Sequence, residues 1–421
     1  IGEGDGYVAI GEVARRSFSY EIPSAETFFK IRIIDSFDET NFTISETFKS
    51  IASAAVVNYK WDYSVNNSLI YRPIRGISAD GTARFFMEVY APDLLSVDVE
   101  LRDDIGSNRP DVLGKVMLAN FTNFYHEEAN DANTIVASGL TNAGKIVFWY
   151  VAPDDFCRSE MDNSRKNREV EVVFHLLFLD GTSQIISKKI QIVRPPLMLV
   201  HGLGGSPNSW NDMNSDEGLL ETDARFIVIK KIKMDPTASF SFNSRNMVIG
   251  FSKNSDLFKQ SSFQGVIEEM RRLGYATNRV DYIGHSMGGS ILRNVLKDYY
   301  DYFLRTNSAS NRDFKNYGKG YTNKVVTIGT PHEGSPWANF IERYLDDIPL
   351  VPRLLLLKGY DTKNNKGIVN FLFNFIKIKP ESRSWNPEFE LTDAVRDLRV
   401  SNGVSFTETH SLNAHLIAGD I

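Results

Sequence analysis

The chain has 421 residues, of which 42% are hydrophobic, and a formal net charge of −6. This length and apolar content predict two or three domains with more than one packed core. The negative charge, together with the lack of a Lys/Arg cluster interleaved with aromatic residues, argues against a nucleic-acid partner. The single cysteine, Cys157, excludes an internal disulfide, and no spaced set of Cys and His predicts a metal site or a cofactor. No apolar run reaches the roughly 18 residues that a membrane-spanning helix needs.

The N-terminal half of the chain predicts β-structure. Residues 1–72 form a β-rich module that we expect to be incomplete, with strands at 28–34 and 42–44. Residues 73–194 alternate apolar and polar positions and carry turn signals every 10 to 15 residues, which predicts about seven strands of an immunoglobulin-like β-sandwich. The pair Asp180-Gly181 between two of these strands predicts a tight hairpin, because it tolerates positive φ.

The sequence changes character at 195, and residues 195–421 predict an α/β domain with a mostly parallel sheet and helices on both faces. Strands are expected at 197–200, 226–232, 279–283, 324–328 and 414–419, and a helix at 263–273 that ends at Gly274. The short junction predicts rigid packing of the sandwich on this domain.

A glycine-rich loop follows the first strand of this domain, with the sequence His201-Gly202-Leu203-Gly204-Gly205. Backbone N–H groups in such a loop can stabilise the negative charge of an acyl-transfer transition state. The alternative is a glycine turn without a ligand. The N–H groups of Leu203 and Met287 are the predicted oxyanion donors.

The run Gly284-His285-Ser286-Met287-Gly288 joins a short apolar strand to a helical pattern. A serine on so sharp a turn needs small residues two positions before and after it, because its backbone is strained. This G-x-S-x-G pattern predicts that Ser286 is a nucleophile. An ordinary glycine turn is the alternative.

Residues 333–391 leave the strand and helix alternation and predict a cap or lid. Its stretches at 340–348 and 368–378 read as amphipathic helices, the second of them apolar around most of its circumference. Such a face either packs between the core and the cap or forms a lid that meets acyl chains and contacts a lipid interface.

Three motifs together resemble the α/β-hydrolase superfamily, and within it the bacterial triacylglycerol lipases and esterases: HGLGG at 201–205, GHSMGG at 284–289 and TPHEGS at 330–335. The resemblance implies hydrolysis of carboxylic esters through a covalent acyl-enzyme. It implies a substrate pocket formed by His201, Gly202, His285, Thr330 and His332, with Pro331 on its floor. Together with the β-domains, it suggests a secreted, periplasmic or bacterial cell-surface protein.

The resemblance also implies a triad in the chain order Ser, Asp or Glu, His. Asp420 follows the last predicted strand and is a candidate acid, although in the relatives the acid usually lies slightly further on. No histidine follows it, and both ends of the chain look trimmed, so we expect the base, and with it the acid if Asp420 is not the one, beyond Ile421.

The sequence thus predicts a serine carboxylic ester hydrolase that acts on an ester or acyl-lipid substrate. One alternative is a surface binding or adhesion protein with a catalytically incomplete hydrolase-like domain. An acyltransferase or thioesterase on the same scaffold is another.

Overall fold

A computed structural model describes residues 26–29, 32–35, 38–44, 48–51, 55–62, 73–106, 109–119, 135–211, 223–249, 261–304, 315–336, 338–339, 376–378, 389–399 and 414–417. Within these ranges no helix is long and apolar enough to cross a bilayer. The predicted cap stretch at 340–348, most of the stretch at 368–378, and Asp420 lie outside them.

Two β-sheets pack face to face in the N-terminal half. The larger sheet has six strands in the order Val136–Leu140, Leu94–Arg102, Asn167–Phe178, Ser183–Val193, Gly76–Ser78 and Tyr275–Ala276. The smaller sheet has four in the order Val56–Trp61, Arg84–Tyr90, Lys145–Val151 and Lys115–Leu118. Alternate residues of the central strands are buried in one shared core, for example Val97, Val99 and Leu101 of the larger sheet and Phe85, Met87 and Val89 of the smaller one.

The predicted hairpin at Asp180-Gly181 is present. Gly181 has a φ of +81°, and the strands on either side pair antiparallel from Leu177 opposite Ser183 to Asn167 opposite Val193. The N-terminal half is therefore mostly strands, while the immunoglobulin-like assignment stays a prediction.

Strand Val56–Trp61 joins the sandwich although it precedes the predicted boundary at residue 72. It pairs antiparallel with Arg84–Tyr90, and Tyr59 and Trp61 pack against the sandwich core. Upstream, two separate strand pairs are formed, Glu26–Phe29 with Phe48–Ile51 and Arg32–Asp35 with Asp38–Ile44. The predicted strand at 28–34 is thus two shorter strands.

A parallel five-stranded sheet occupies the C-terminal half. Its order is Ile229–Ile232, Leu197–Val200, Val280–His285, Thr322–Ile328 and Ala414–Ile417. All four neighbouring pairs are parallel, so the carboxyl ends of the strands share one edge of the sheet. This edge is where open α/β sheets bind ligands.

Helices cover this sheet with apolar residues at helical spacing. Phe263, Val266, Ile267 and Met270 are all buried in the core, and Gly274 adopts a φ of +95° just past the helix end. The helices of the described chain are Pro110–Leu113, Phe240–Ile249, Phe263–Arg272, Met287–Asp298, Tyr300–Phe303 and Asp393–Asp397, with 3-10 turns at Glu160–Asp162 and Pro207–Trp210.

One helical prediction is wrong at its end. The stretch at 368–378 reads as a helix, but Ile376–Ile378 is a strand paired antiparallel with Phe389–Leu391. Its Ile-Lys-Ile sequence fits the period of a strand as well as that of a helix, and the pairing with Phe389–Leu391 decides between the two.

Candidate active site

Ser286 lies on a sharp turn between strand Val280–His285, here called the elbow strand, and helix Met287–Asp298, the elbow helix. Its backbone has φ 51° and ψ −120°, outside the regions that a serine normally adopts. Such a conformation costs about 1–3 kcal/mol and persists only where the surroundings hold it. Two hydrogen bonds do so here: the Ser286 N–H donates to the Ile328 carbonyl at 2.9 Å, and the Gly289 N–H donates to the Ser286 carbonyl at 3.1 Å.

Glycines around Ser286 allow the chain to pack this closely. A Cβ on Gly284 would lie 2.7 Å from the Gly289 nitrogen, and one on Gly288 would lie 2.4 Å from the Val200 carbonyl oxygen. At both positions that the sequence predicts to be small, backbone atoms therefore occupy the space that a side chain would need. Gly289 is equally restricted, because a Cβ there would lie 2.2 Å from Thr330 Oγ1.

The loop at 201–205, which we call the oxyanion loop, approaches Ser286 directly. A Cβ on Gly202 would lie only 2.8 Å from the Ser286 Cβ and 3.1 Å from His285 Nδ1. The next residue, Leu203, is half-buried, and Met287 begins the elbow helix. Neither N–H donates to another group in the described part of the chain, as is usual for the first N–H of a helix. Both predicted oxyanion donors thus have no acceptor within the described part of the chain.

His201 fixes the oxyanion loop from beneath and is fully buried. Its Nδ1 is 3.0 Å from the Gly202 carbonyl oxygen, and its Nε2 is 3.4 Å from the Met234 nitrogen. Because a carbonyl only accepts and an amide N–H only donates, the ring carries its proton on Nδ1 and is neutral. Burial also lowers the pKa of His201, which favours that neutral form. The ring is therefore buried and makes contacts to the backbone through both of its nitrogens.

The segment Thr330, Pro331 and His332 lies against the elbow helix. The Arg293 guanidinium donates to the His332 carbonyl, and His332 Nε2 is 3.0 Å from Thr327 Oγ1. Burial lowers the pKa of His332, and the charge of Arg293 adds to this effect. His332 is thus held as a structural part of this loop.

His285 precedes Ser286 and is the exposed histidine at this edge of the sheet. Its ring lies over Gly202, and burial of part of the ring lowers its pKa. Of the predicted pocket residues, Gly202 and His285 lie beside Ser286, Thr330 lies against Gly289, and His332 contacts Thr327. His201 is fully buried, and the candidate acid Asp420 lies outside the described residues.

Two residues that hold this site together were not predicted from the sequence. Arg293 is almost fully buried on the elbow helix, and Met234 supplies the N–H that fixes His201. A charged residue within the apolar helical pattern after Ser286 was the available signal for Arg293. Met234 acts through its backbone N–H, which almost every residue carries, so its side chain gave no signal in the sequence. Among the described residues, no three His, Cys, Asp or Glu side chains come together to hold a metal ion.

Comparison with known proteins identifies one matching family. Residues 184–304, which include the oxyanion loop and Ser286, match a family described as an alpha/beta hydrolase of unknown function, DUF915. No curated protein matches the chain significantly.

Similar solved structures are remote. The Bacillus licheniformis lipase BlEst2 in propeptide form is 19% identical over 49% of this chain, with a TM-score of 0.26, and the match spans 30% of that lipase. A DUF4466 family protein from Parabacteroides merdae is 13% identical over 34% of this chain and 46% of its own, with a TM-score of 0.18. The family match and the parallel sheet agree that the C-terminal part of the chain contains an alpha/beta hydrolase domain.

Proposed function

We propose that this protein is a serine carboxylic ester hydrolase, similar to lipases and esterases, with Ser286 as its nucleophile. One observation carries the proposal: Ser286 is held at φ 51° on a strand-to-helix turn, with the oxyanion loop packed against its Cβ. A strained serine between two available backbone donors is the arrangement that acyl transfer requires.

In the proposed reaction the Ser286 Oγ attacks the ester carbonyl carbon while its proton passes to a histidine base. The carbonyl oxygen becomes negatively charged and accepts hydrogen bonds from the N–H groups of Leu203 and Met287. The tetrahedral intermediate then expels the alcohol, which takes the proton from the base. Water, activated by the same base, releases the acid and regenerates Ser286.

The histidine base lies outside the described residues in this proposal. His201 and His332 make hydrogen bonds that hold their loops, and His285 is the neighbour of Ser286 in the chain, with its ring over Gly202. Asp420 remains the candidate acid. The cap predicted from the sequence at 333–391 is rich in apolar residues and favours lipid or other acyl esters as substrates.

The test is turnover of short p-nitrophenyl esters by the full-length protein, including any residues that follow Ile421, and by its Ser286→Ala variant. We expect the substitution to reduce kcat about 10⁴-fold or more, because the covalent intermediate cannot form. Ser290→Ala is the matched control: this serine lies on the elbow helix, is fully buried, and its Oγ has no partner among the described residues. The control should keep normal turnover.

Two results would contradict the proposal. Retention of most of the turnover by Ser286→Ala would assign the reaction to another residue. No turnover by the folded wild-type protein on any ester would favour a binding protein with an incomplete hydrolase domain.

A further inference from the structure

The sandwich sheet pairs with the residues that lead into the elbow strand. Tyr275–Ala276, which lead into it, pair parallel with residues Gly76 and Ile77 and so form the last strand of the larger sandwich sheet. Directly after them, Thr277 Oγ1 lies 2.6 Å from Ser78 Oγ in a buried contact. The chain thus passes from the sandwich sheet into the hydrolase sheet within a few residues.

Asp80 is the centre of this junction and is fully buried. Its Oδ2 accepts hydrogen bonds from the N–H groups of Asn278 at 2.8 Å and Arg279 at 3.1 Å. Its Oδ1 accepts from the N–H groups of Thr82 and Ala83, at 2.8 and 2.6 Å, and from the Thr82 hydroxyl. One carboxylate therefore joins a sandwich turn to the two residues that precede the elbow strand.

Arg279 extends the junction to the next strand of the hydrolase sheet. Its guanidinium donates to the Asp80 carbonyl at 2.9 Å and to the Thr322 carbonyl at 2.5 Å. Thr322 begins the strand that ends at Ile328, whose carbonyl holds the Ser286 N–H. Both strands that fix Ser286 at their carboxyl ends are thus fixed by Asp80 and Arg279 at their other ends.

We propose that Asp80 is a positioning residue for the candidate active site, and that the sandwich is part of the hydrolase scaffold rather than an appended binding module. This inference rests on Ser286 being the nucleophile. The strained backbone of Ser286 persists because the surrounding strands hold it, and Asp80 sets the start of the strand that carries it. A shift of the elbow relative to the oxyanion loop by a fraction of an ångström would reduce reactivity strongly.

The experiment compares Asp80→Asn with Asp162→Asn in the full-length protein. In Asp80→Asn, an NH₂ group replaces one carboxylate oxygen. It must face the N–H donors of either the sandwich turn or the Asn278 and Arg279 backbone, and it cannot accept their hydrogen bonds. Asp162 is the matched control, because it is a sandwich carboxylate, is 1% exposed, and accepts hydrogen bonds from Arg158. Both variants lose a buried carboxylate, but only Asp80 contacts the residues ahead of the elbow strand.

Two quantities are measured at a temperature where all proteins are folded: the rate at which a fluorophosphonate probe labels Ser286, and amide hydrogen exchange across residues 278–286. We expect Asp80→Asn to label at least about tenfold more slowly and to exchange faster in this segment. Asp162→Asn should label and exchange there as the wild-type protein does. If Asp80→Asn does not fold, Ser78→Ala combined with Thr277→Val removes the neighbouring hydroxyl contact and should change both quantities in the same direction.

Equal labelling by all proteins, or equal slowing in both variants, would overturn the inference. If the wild-type protein is not labelled, the proposed function fails, but hydrogen exchange still tests the junction. Unchanged exchange in Asp80→Asn would then show that Asp80 does not position this strand.

Discussion

At the scale of single residues, the turn at Ser286 depends on three positions that have no room for a side chain. Gly284, Gly288 and Gly202 each lie so close to neighbouring atoms that an added Cβ would clash. The strained serine is thus enclosed by backbone on several sides. This enclosure leads to a direct prediction about stability.

We expect Gly288→Ala to lower the free energy of unfolding by about 2 kcal/mol or more, because its Cβ would lie 2.4 Å from the Val200 carbonyl oxygen, which cannot move without shifting the strand. Gly139→Ala is the control. Its Cβ would meet only the ends of the Ile146 and Leu118 side chains, so we expect a loss below about 1 kcal/mol. Urea unfolding measures the free energy of unfolding of both variants. Similar decreases in the two variants would contradict the prediction.

Residue-level predictions from the sequence succeed where the determinant is local. The small residues around Ser286 follow from its sharp turn, and the structure has the strained φ that they imply. His201 shows the limit. The family resemblance implies that His201 is a pocket residue, but its ring is fully buried and its Nε2 accepts from the N–H of Met234, which is distant in the chain.

At the scale of elements, Asp281 links the elbow strand to strand Thr322–Ile328. Its Oδ1 accepts from Asn323 Nδ2 at 2.9 Å and from the Lys324 N–H at 3.2 Å. Burial raises the pKa of Asp281 to about 6, although these donors and the Lys324 charge act in the opposite direction. The folded protein therefore binds this proton more tightly than the unfolded chain, whose aspartates have pKa values of about 4.

The contribution of Asp281 to stability should consequently fall as the pH rises from about 4 to about 6 and stay constant above that. Asp281→Asn does not titrate and can accept both hydrogen bonds through its amide oxygen. We expect it to be more stable than the wild-type protein by about 1–2 kcal/mol at pH 8 and similar to it near pH 4. Urea unfolding at pH 4 and pH 8 measures the free energy of unfolding of the variant and of the wild-type protein. A difference between the two proteins that does not depend on pH would contradict the prediction.

Element types were predictable wherever periodicity was long or turn signals were strong. The helix Phe263–Arg272 and the hairpin at Asp180-Gly181 are examples, since both depend on residues close in sequence. The strand Ile376–Ile378 was not predictable, because three residues carry too little periodicity to distinguish a strand from a helix.

At the scale of the whole molecule, the dipeptide Tyr275–Ala276 belongs to the sandwich sheet although it lies just ahead of the strand Val280–His285 of the hydrolase sheet. Strand-by-strand reasoning predicted a β-rich half followed by a parallel sheet, and both are present. It did not predict that Tyr275–Ala276 extends the sandwich, because a two-residue strand has no sequence signature and pairs across nearly 200 residues of chain. The buried contacts of Asp80 join the two halves of the chain, and the rigid packing expected from the short junction stays a prediction.

The central claim is that Ser286 is an activated nucleophile, and labelling tests it most directly. The folded full-length protein is treated with a fluorophosphonate probe, and mass spectrometry locates the modified residue, with Ser286→Ala as control. We expect a single modification at Ser286 that the control lacks, since only a serine with a base and an oxyanion site reacts readily. An unlabelled folded protein, or a label on another residue that persists in Ser286→Ala, would contradict the account.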